Sequence, residues 1–372
     1  LLAIGVISIG FFTYQVQKAT RLVMLGSSDD RFDSWGTRVS EFLSGWLFQK
    51  KVLRDKVAGT MHVLMFWGFL MLASDMLDLA TANSFSGKVL PAILVGPWNG
   101  MVELGYFMAL IGCVSALTRR VVFTPEKLKG KSQLEGNAIL LLIFTITTTS
   151  FMVESAESPS SFWEPLGYWF SEIGLSEHTV ILSYWAHMLA ISVFLFLIPL
   201  SKHMHLVMAV PNVFFHDAGP KARMRPLATG EDGKAVPLED LDIDSFGVSS
   251  YNQYSWRQLI DGWSCTSCAR CQDVCPAYAS GKGLNPMQVI HDVRDYANDH
   301  APILLAGGQP EETMLERITE EAVWACTTCN ACVDVCPLYI EHVPKLTDLR
   351  RNAMMETMEY PEVLNTAMGN IE

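Results

Sequence analysis

The sequence predicts an all-α protein in two parts: a bundle of five transmembrane helices, followed by a smaller helical domain that carries eight of the nine cysteines. Half of the 372 residues are hydrophobic. The apolar residues are concentrated before residue 212, in segments of about 20 residues or more, which is the length needed to cross a bilayer. The cysteines are concentrated in the last third of the chain, where the composition becomes polar.

The predicted spans, in chain order, are residues 1–24, 57–80, 99–118, 134–153 and 179–208. The first has no basic segment before it and no cleavage site after it, so we expect a span that has lost its start rather than a signal peptide. Basic side chains are frequent in loops 25–56 and 119–133, whereas the 154–178 loop has none and carries five glutamates. The positive-inside rule places the two basic loops in the cytoplasm. The sequence therefore predicts a multi-pass protein of the cell inner (cytoplasmic) membrane, with its N-terminus outside and the cysteine domain on the cytoplasmic side.

The cysteines form two runs with the same spacing, C-x2-C-x2-C-x3-C-P. This spacing is typical of [4Fe–4S] clusters, in which the fourth cysteine of each run binds the cluster of the other run. The predicted ligand sets are Cys265, Cys268, Cys271 and Cys336 for one cluster, and Cys326, Cys329, Cys332 and Cys275 for the other. Zinc sites and disulfides are the alternatives. Zinc does not require the x3-C-P ending, and disulfides are rare in the cytoplasm.

The predicted domains are a membrane domain over 1–212, a linker over 213–250 and a two-cluster domain over 251–350. Residues 351–372 are expected to begin a C-terminal extension that is cut short. Inside the two-cluster domain, Asn285 before a proline predicts the N-cap of a helix over 287–296, and Thr319 predicts the cap of a helix over 320–325. Cluster loops joined by helices predict a helical ferredoxin domain.

Four histidines lie in or at the ends of the predicted spans: His62, His187, His203 and His205. His62 and His205 fall at similar depth near the cytoplasmic ends of the second and fifth spans, where two imidazoles could bind the axial positions of a b-type haem. His203 is the substitute ligand. On one continuous helix His187 and His205 would share a face, because the 18 residues between them make five turns.

His187 is predicted either to bind a second haem or to belong to a quinone site. The candidates for the opposite ligand of a second haem are Met71, Met76 and His178. Several carboxylates in the outer halves or at the outer ends of the spans could exchange the protons of quinone chemistry: Asp75, Asp78, Glu103 and Glu154. The alternative is that these carboxylates are interfacial residues that face water.

Three segments together resemble a family of membrane iron–sulfur oxidoreductases related to heterodisulfide reductase. The stretch AGTMHVLMFWGF over 58–69 resembles their second-span motif, and PLSKHMH over 199–205 is similar to the end of their fifth span. The second cysteine run, with WACTTC before it and IEHVP and Arg350-Arg351 after it, resembles their second cluster loop. The membrane part is similar to the gamma subunit of respiratory nitrate reductase, a five-span diheme cytochrome b.

The resemblance implies a quinone-linked oxidoreductase of the electron-transfer-flavoprotein:menaquinone oxidoreductase type. Its cofactors would be two [4Fe–4S] clusters and haem b on His62 and His205, with His187 as a candidate ligand of a second haem. Its partners would be the membrane, the quinone pool and a soluble flavoprotein or other redox subunits. The net charge of −12 gives no indication of nucleic-acid binding.

Two alternative functions remain open. One is a quinol-linked thiol–disulfide reductase subunit of the heterodisulfide type, and the other is a non-catalytic electron conduit and membrane anchor of a larger respiratory complex. The sequence departs from the family in two ways. No cysteine-rich module follows Cys336, and the second span has one histidine where the diheme relative uses two.

Overall fold

The computed structural model describes residues 2–80, 92–123, 131–156, 159–219, 246–358 and 360–370, together with residues 224, 226, 227, 236 and 240. Within its helices, the side chains of residues 2, 75–80, 92, 131, 132, 367 and 368 are outside the description. Most of the predicted linker over 213–250 therefore lies outside the described residues. The described part of the chain is mostly helical and contains no strand, as the sequence predicts.

The described part of the chain contains many α-helices, and the longest of them all lie before residue 200. In chain order they are α1 Leu2–Val23, α2 Trp35–Phe42, α3 Lys56–Ala80, α4 Ala92–Val121, α5 Lys131–Glu154, α6 Pro165–Ile173, α7 Glu177–Leu197, α8 His205–Phe214, α9 Trp256–Ser264, α10 Arg270–Asp273, α11 Pro276–Ala279, α12 Pro286–Asp299, α13 Ala301–Leu305, α14 Met314–Ile318, α15 Glu320–Ala325, α16 Ala331–Val335, α17 His342–Asn352 and α18 Val363–Gly369.

The chain divides into two compact units. The first consists of Leu1–Thr13 and Val52–Ser201, and the second of Tyr14–Lys51 and Lys202–Glu372. The second unit thus contains the cysteine runs, helix α8 and the end of α1. The division differs from the predicted domain bounds, because a segment of the predicted membrane domain belongs to the unit that carries the cysteines.

Four described helices are long and apolar enough to cross a membrane: Lys56–Ser74, Ile93–Val121, Gln133–Glu154 and Glu177–Leu200. They coincide with the second to fifth predicted spans. Helix α1 covers the predicted first span but is not one of these four. Its second half carries Gln15, Gln17, Lys18 and Arg21, which lower its apolar content. A fifth span at residues 1–24 therefore stays a prediction.

Glycines let α3 and α4 approach each other closely in the first unit. A Cβ atom on Gly68 would lie 2.6 Å from the backbone nitrogen of Ala109, and one on Gly112 would lie 2.8 Å from the carbonyl oxygen of Met61. Small residues of this kind bring membrane helices together, since lipid offers no hydrophobic driving force between them. Helix α5 packs against both α4 and α7, which completes the bundle.

The predicted fifth span over 179–208 is not one continuous helix. Helix α7 ends at Leu197, a 3-10 turn covers Ile198–Leu200, and Ser201 is extended before α8 begins at His205. Pro199 explains the break, because proline has no N–H for the helical hydrogen bond and its ring clashes with the preceding turn. The prediction that His187 and His205 share one face of a continuous helix is therefore wrong.

The second unit has an apolar core built from distant parts of the chain. Leu22 at the end of α1 packs in the same core as Tyr251, Tyr254 and Val293. The two predicted helix caps in this unit are confirmed. The Asn285 side chain accepts from the backbone N–H groups of residues 287 and 288 at the start of α12, and the Thr319 side chain accepts from that of residue 322 in α15.

Candidate functional site

The two cysteine loops have matching backbone conformations. Ser267 and Ala269 in the first loop have φ of 55° and 61°, and Thr328 and Asn330 in the second have φ of 53° and 59°. Each loop then enters a short helix, α10 or α16. Left-handed residues are uncommon outside glycine. Their recurrence at the same positions shows that the sequence repeat is also a structural repeat, in which a tight loop brings three thiols together.

The fourth cysteine of each run lies with the first three of the other run. Cys336 shares an apolar cluster with Cys265, together with Ile290 and Ile340. The Cys336 thiol interacts electrostatically with those of Cys265 and Cys268. Around the second loop, the Cys332 thiol interacts with those of Cys326, Cys329 and Cys275. This is the grouping that the crossed ligand sets require.

The chemistry of these thiols fits an iron–sulfur cluster. Burial, together with the neighbouring thiols, raises the pKa of Cys265 to about 11 and the pKa of Cys332 and Cys336 to about 12. Such thiols become thiolates when a metal provides the compensating charge. All nine cysteines are free thiols. In the described part of the chain no three His, Cys, Asp or Glu side chains are grouped as ligands of a single metal ion. A four-iron cluster is larger than one ion and holds its thiolates farther apart.

A buried ionic network joins the helix before the first cysteine run to the segment after the second. The Asp261 carboxylate on α9 accepts from Arg257 Nη1 at 2.8 Å, from the backbone N–H of Glu341 at 3.1 Å, and from the Lys345 ammonium. Burial alone would raise the pKa of Asp261, but Arg257 and Lys345 outweigh it and hold this pKa below its usual value. The network therefore places the end of the second run beside the start of the first.

Arg350 on α17 holds the start of the second loop. Its guanidinium donates to the carbonyl oxygens of Val323, at 2.7 Å, and of Cys326, and it lies over the ring of Trp324. A cation at the C-terminus of a helix satisfies carbonyl groups that have no partner within the helix and complements the helix dipole. Arg350 thus fixes the end of α15, from which the second cysteine run begins.

His205 is the first residue of α8, in the same unit as the cysteine runs. Its Nδ1 is 2.9 Å from the carbonyl oxygen of Lys202, and its ring centroid is 5.9 Å from that of His203. Helix α8 packs against α9, where the Ser264 hydroxyl donates to the carbonyl oxygen of Met208 at 3.0 Å. The helix that starts at His205 is therefore packed on the helix that leads into the first cysteine run.

His62 and His187 lie in the first unit. His62 is on α3. Because His205 lies in the second unit, a His62–His205 ligand pair stays a prediction. His187 on α7 places Nδ1 3.0 Å from the carbonyl oxygen of Ile146 and 3.3 Å from the hydroxyl of Thr149, both on α5. A ring nitrogen that donates to a carbonyl leaves the other nitrogen as an acceptor, and this is the usual arrangement of a histidine ligand.

The carboxylates predicted to exchange protons have different surroundings. Glu103 on α4 is buried, and its Oε1 accepts from the backbone N–H groups of Leu166, at 2.7 Å, and Gly167, at 3.1 Å. It therefore caps the N-terminus of α6, which sequence reasoning did not anticipate. Its Oε2 is buried without a hydrogen-bond partner among the described residues. Asp75 and Asp78 lie on α3, but their side chains are outside the described residues.

Sequence reasoning missed two residues beside these carboxylates. The Tyr106 hydroxyl on α4 donates to Glu154 on α5, at 2.5 Å, and lies 2.8 Å from the hydroxyl of Ser150. Tyr106 follows Glu103 by one helical turn, and Ser150 precedes Glu154 by one turn. That spacing on two adjacent spans is the signal that could have found them. The structure thus joins Glu154 to a buried polar group between α4 and α5.

Residues 257–337 match the family model of the 4Fe-4S dicluster domain. The chain carries a 4Fe-4S dicluster domain. It is also 28% identical to the "EtfAB:quinone oxidoreductase" of Syntrophomonas wolfei, over 99% of this chain and 56% of that protein. It is 27% identical to the "Probable iron-sulfur-binding oxidoreductase FadF" of Bacillus subtilis, over 97% of this chain and 56% of that protein. The chain therefore spans about half the length of these curated relatives.

Shorter matches give additional relatives. Over 28% of this chain and 53% of the relative, the chain is 32% identical to one component of the "Ferredoxin:CoB-CoM heterodisulfide reductase" from Methanosarcina mazei. The chain is thus a homologue of the EtfAB:quinone oxidoreductase, the FadF iron–sulfur oxidoreductase and heterodisulfide reductase subunits, which confirms the resemblance to iron–sulfur oxidoreductases related to heterodisulfide reductase. The similarity of its membrane part to a cytochrome b stays a prediction. No solved structure matches the chain.

Proposed function

We propose that this protein is an electron-transfer oxidoreductase of the cell inner membrane. It would pass electrons between a soluble cytoplasmic redox partner, an electron-transferring flavoprotein, and the menaquinone pool. The observation that carries the proposal is that one chain combines a dicluster domain with four helices long and apolar enough to cross a membrane. The similarity to a protein named EtfAB:quinone oxidoreductase, which extends over 99% of this chain, supports the choice of partner and acceptor.

The cysteines would hold the two clusters in crossed sets. One set is Cys265, Cys268, Cys271 and Cys336, and the other is Cys326, Cys329, Cys332 and Cys275. Bound clusters supply sites that accept and release single electrons. The protein would contribute the matching loops, the apolar surroundings of the thiols and the ionic network around Asp261, which holds the two runs together.

His62 and His205 would hold a haem b, with His203 as the substitute for His205. The hydrogen bond from His205 Nδ1 to the carbonyl oxygen of Lys202 supports this role, since it leaves Nε2 as the nitrogen able to bind iron. His187 has the same type of bond to Ile146, so it is suited either to a second haem or to a quinone site. The ferredoxin domain would face the cytoplasm and the N-terminus would lie outside.

Quinone chemistry also requires groups that exchange protons. His187, Asp75, Asp78 and Glu103 remain the proposed residues for this role. The role of Glu103 in proton exchange is supported by its Oε2, which is buried and has no hydrogen-bond partner in the described part of the chain. The Tyr106–Glu154 contact adds a neighbouring hydroxyl and carboxylate. Charged groups within a membrane are costly and are usually retained for function.

A second candidate is a quinol-linked thiol–disulfide reductase subunit. Its support is the similarity of about a quarter of the chain to two different heterodisulfide reductase components of Methanosarcina species. The two candidates differ in the soluble substrate, because one exchanges electrons with a flavoprotein and the other with a disulfide. A chain that only conducts electrons within a larger complex would not react with quinone by itself, whichever soluble donor was present.

The test is an anaerobic optical spectrum of the purified chain in detergent, recorded before and after a menaquinol analogue is added. We expect a reduced b-type haem band and partial bleaching of the iron–sulfur absorption. The variants His205→Ala and His62→Ala should lose the band. The control His300→Gln should keep it, because the His300 side chain contacts Glu312, at 2.9 Å, and has no proposed role in haem binding. A haem band that does not respond to quinol would favour the conduit. A wild-type chain without haem would refute the membrane half of the proposal.

The soluble partner is tested with the same sample. Reduced electron-transferring flavoprotein and a reduced dithiol are each offered as donor, with a menaquinone analogue as acceptor. Reduction of the quinone with the flavoprotein alone supports the main proposal. Reduction with the dithiol alone supports the reductase of the heterodisulfide type.

A further inference from the structure

His291 lies against the first cysteine loop, although its sequence context indicates no role. Its Nε2 is 3.7 Å from the sulfur of Cys265 and 3.0 Å from the hydroxyl of Ser267. His291 is on α12, and its neighbour Ile290 is fully buried in the apolar cluster that contains Cys265 and Cys336. The imidazole therefore faces the sulfur of a proposed cluster ligand from a helix that is anchored in the core.

The second loop has the same backbone conformation but a different arrangement of side chains. At the position of Ser267 it has Thr328, whose hydroxyl donates to the carbonyl oxygen of Thr327 at 2.8 Å. The cation near this loop, Arg350, donates to the backbone carbonyl of Cys326 rather than to its sulfur. The two loops thus match in backbone and differ in what approaches the first cysteine.

The direction of the effect follows from simple electrostatics. An iron-bound thiolate carries no proton, so it can only accept a hydrogen bond, and this favours the imidazole tautomer with hydrogen on Nε2. Reduction adds one electron to the cluster and makes its sulfur ligands more negative. An N–H donor at the sulfur stabilises the reduced form more than the oxidised form, which raises the reduction potential.

We propose that His291 is a positioning residue that raises the reduction potential of the cluster held by Cys265, Cys268, Cys271 and Cys336. It does so through a hydrogen bond from Nε2 to Cys265 Sγ, shared with Ser267 Oγ. The inference rests on the proposed function, in which each cluster takes one electron from the soluble donor and passes it towards quinone. No bond forms or breaks at His291 in this step.

The test is a redox titration of the full-length chain in detergent, followed by electron paramagnetic resonance of the reduced clusters. In His291→Leu we expect one of the two midpoint potentials to fall while the other is unchanged. Because both oxidation states accept this hydrogen bond, only the difference in its strength counts, and the reduction equilibrium should change by up to about tenfold. Tenfold corresponds to about 59 mV for one electron. His291→Gln keeps an N–H donor and should restore most of the potential. His300→Gln, just beyond the end of the same helix, should leave both potentials unchanged.

A second measurement detects the hydrogen bond itself. In protein labelled with 15N-histidine, pulsed electron paramagnetic resonance should show a nitrogen coupling to one reduced cluster. This coupling should be absent in His291→Leu and retained in His300→Gln. A purely structural role for His291 would not produce a coupling that depends on this one side chain.

The outcomes separate the inference from the proposed function. A wild-type chain without two reducible clusters refutes the function. Two intact clusters whose potentials do not change in His291→Leu refute the inference and leave the function intact. If the His291→Leu variant loses a cluster, the His291→Gln variant tests the hydrogen bond instead. A wild-type potential in His291→Gln supports the hydrogen bond, and a lowered potential with both clusters intact refutes it.

Discussion

The crossed arrangement of the cysteines can be tested with two matched double variants. Cys265→Ala with Cys336→Ala removes two thiols that the structure groups together, one from each run. Cys265→Ala with Cys275→Ala removes two thiols from the same run, which the structure assigns to different groups. Each variant loses two cysteines, so they differ only in how the losses are distributed.

The expected magnitudes follow from the number of ligands that each cluster keeps. The wild-type chain should hold about eight iron atoms in two [4Fe–4S] clusters. In the Cys265/Cys336 variant both removed cysteines belong to the same cluster, so the other cluster should remain complete with about four iron atoms. The Cys265/Cys275 variant takes one ligand from each cluster, so neither cluster should keep its four thiolates.

The assay combines iron and sulfide analysis with electron paramagnetic resonance of the reduced protein, under anaerobic conditions. We expect one intact [4Fe–4S] signal in the Cys265/Cys336 variant and none in the Cys265/Cys275 variant. The reverse pattern would show that each run binds its own cluster, and it would refute the crossed assignment. Equal loss in both variants would show that the four-thiol sets are not independent, which also contradicts the grouping.

Three other predictions concern stability. Gly68→Leu should destabilise the α3–α4 packing by about 1–3 kcal/mol. The control Gly10→Leu should not, because nothing lies within 4 Å of a Cβ added there. Thermal unfolding in detergent measures the difference, and equal melting temperatures of both variants would contradict the prediction. Lys345→Met removes one of the two cations that contact the buried Asp261 and should lower the free energy of unfolding by about 3 kcal/mol. The double variant that also carries Asp261→Asn should recover part of this loss. Cluster loss during denaturant unfolding measures both effects. Burial, aided by Lys345, lowers the pKa of His342 to about 4. As pH falls from about 6.5 to about 4, the unfolded chain therefore binds a proton that the folded chain does not, and stability falls by about 3 kcal/mol. His342→Gln should remove that part of the pH dependence of cluster loss, and an unchanged pH profile would refute this origin.

Local features of the second unit could be predicted from the sequence because they depend on a few neighbouring residues. Asn285 before Pro286 predicted a cap, and Thr319 predicted the helix that the structure shows over Glu320–Ala325. The cysteine spacing predicted two similar loops, and their left-handed positions match. Four of the predicted spans are long apolar helices, since length and composition alone decide this property.

Features that depend on packing could not be predicted in the same way. The break at Pro199 could have been inferred, but the apolar pattern continues through it and favoured one long span. The contact between His291 and Cys265 depends on how α12 lies against a loop 26 residues earlier in the chain. The bond from Arg31 to Glu341 joins residues 310 positions apart. Periodicity and motif spacing carry no information about either pair.

The packing of α8 changes how the second unit should be understood. The linker over 213–250 stays a prediction, because most of it lies outside the described residues. Before it, Met204 and Met208 lie in the same core as Trp263 and Cys275, and Asn212 donates to the carbonyl oxygen of Leu338, two residues after Cys336. The helix that begins at His205 is therefore fixed to both cysteine runs by a packed interior. If His205 binds haem as proposed, its distance from the clusters would be set by the packing of this core.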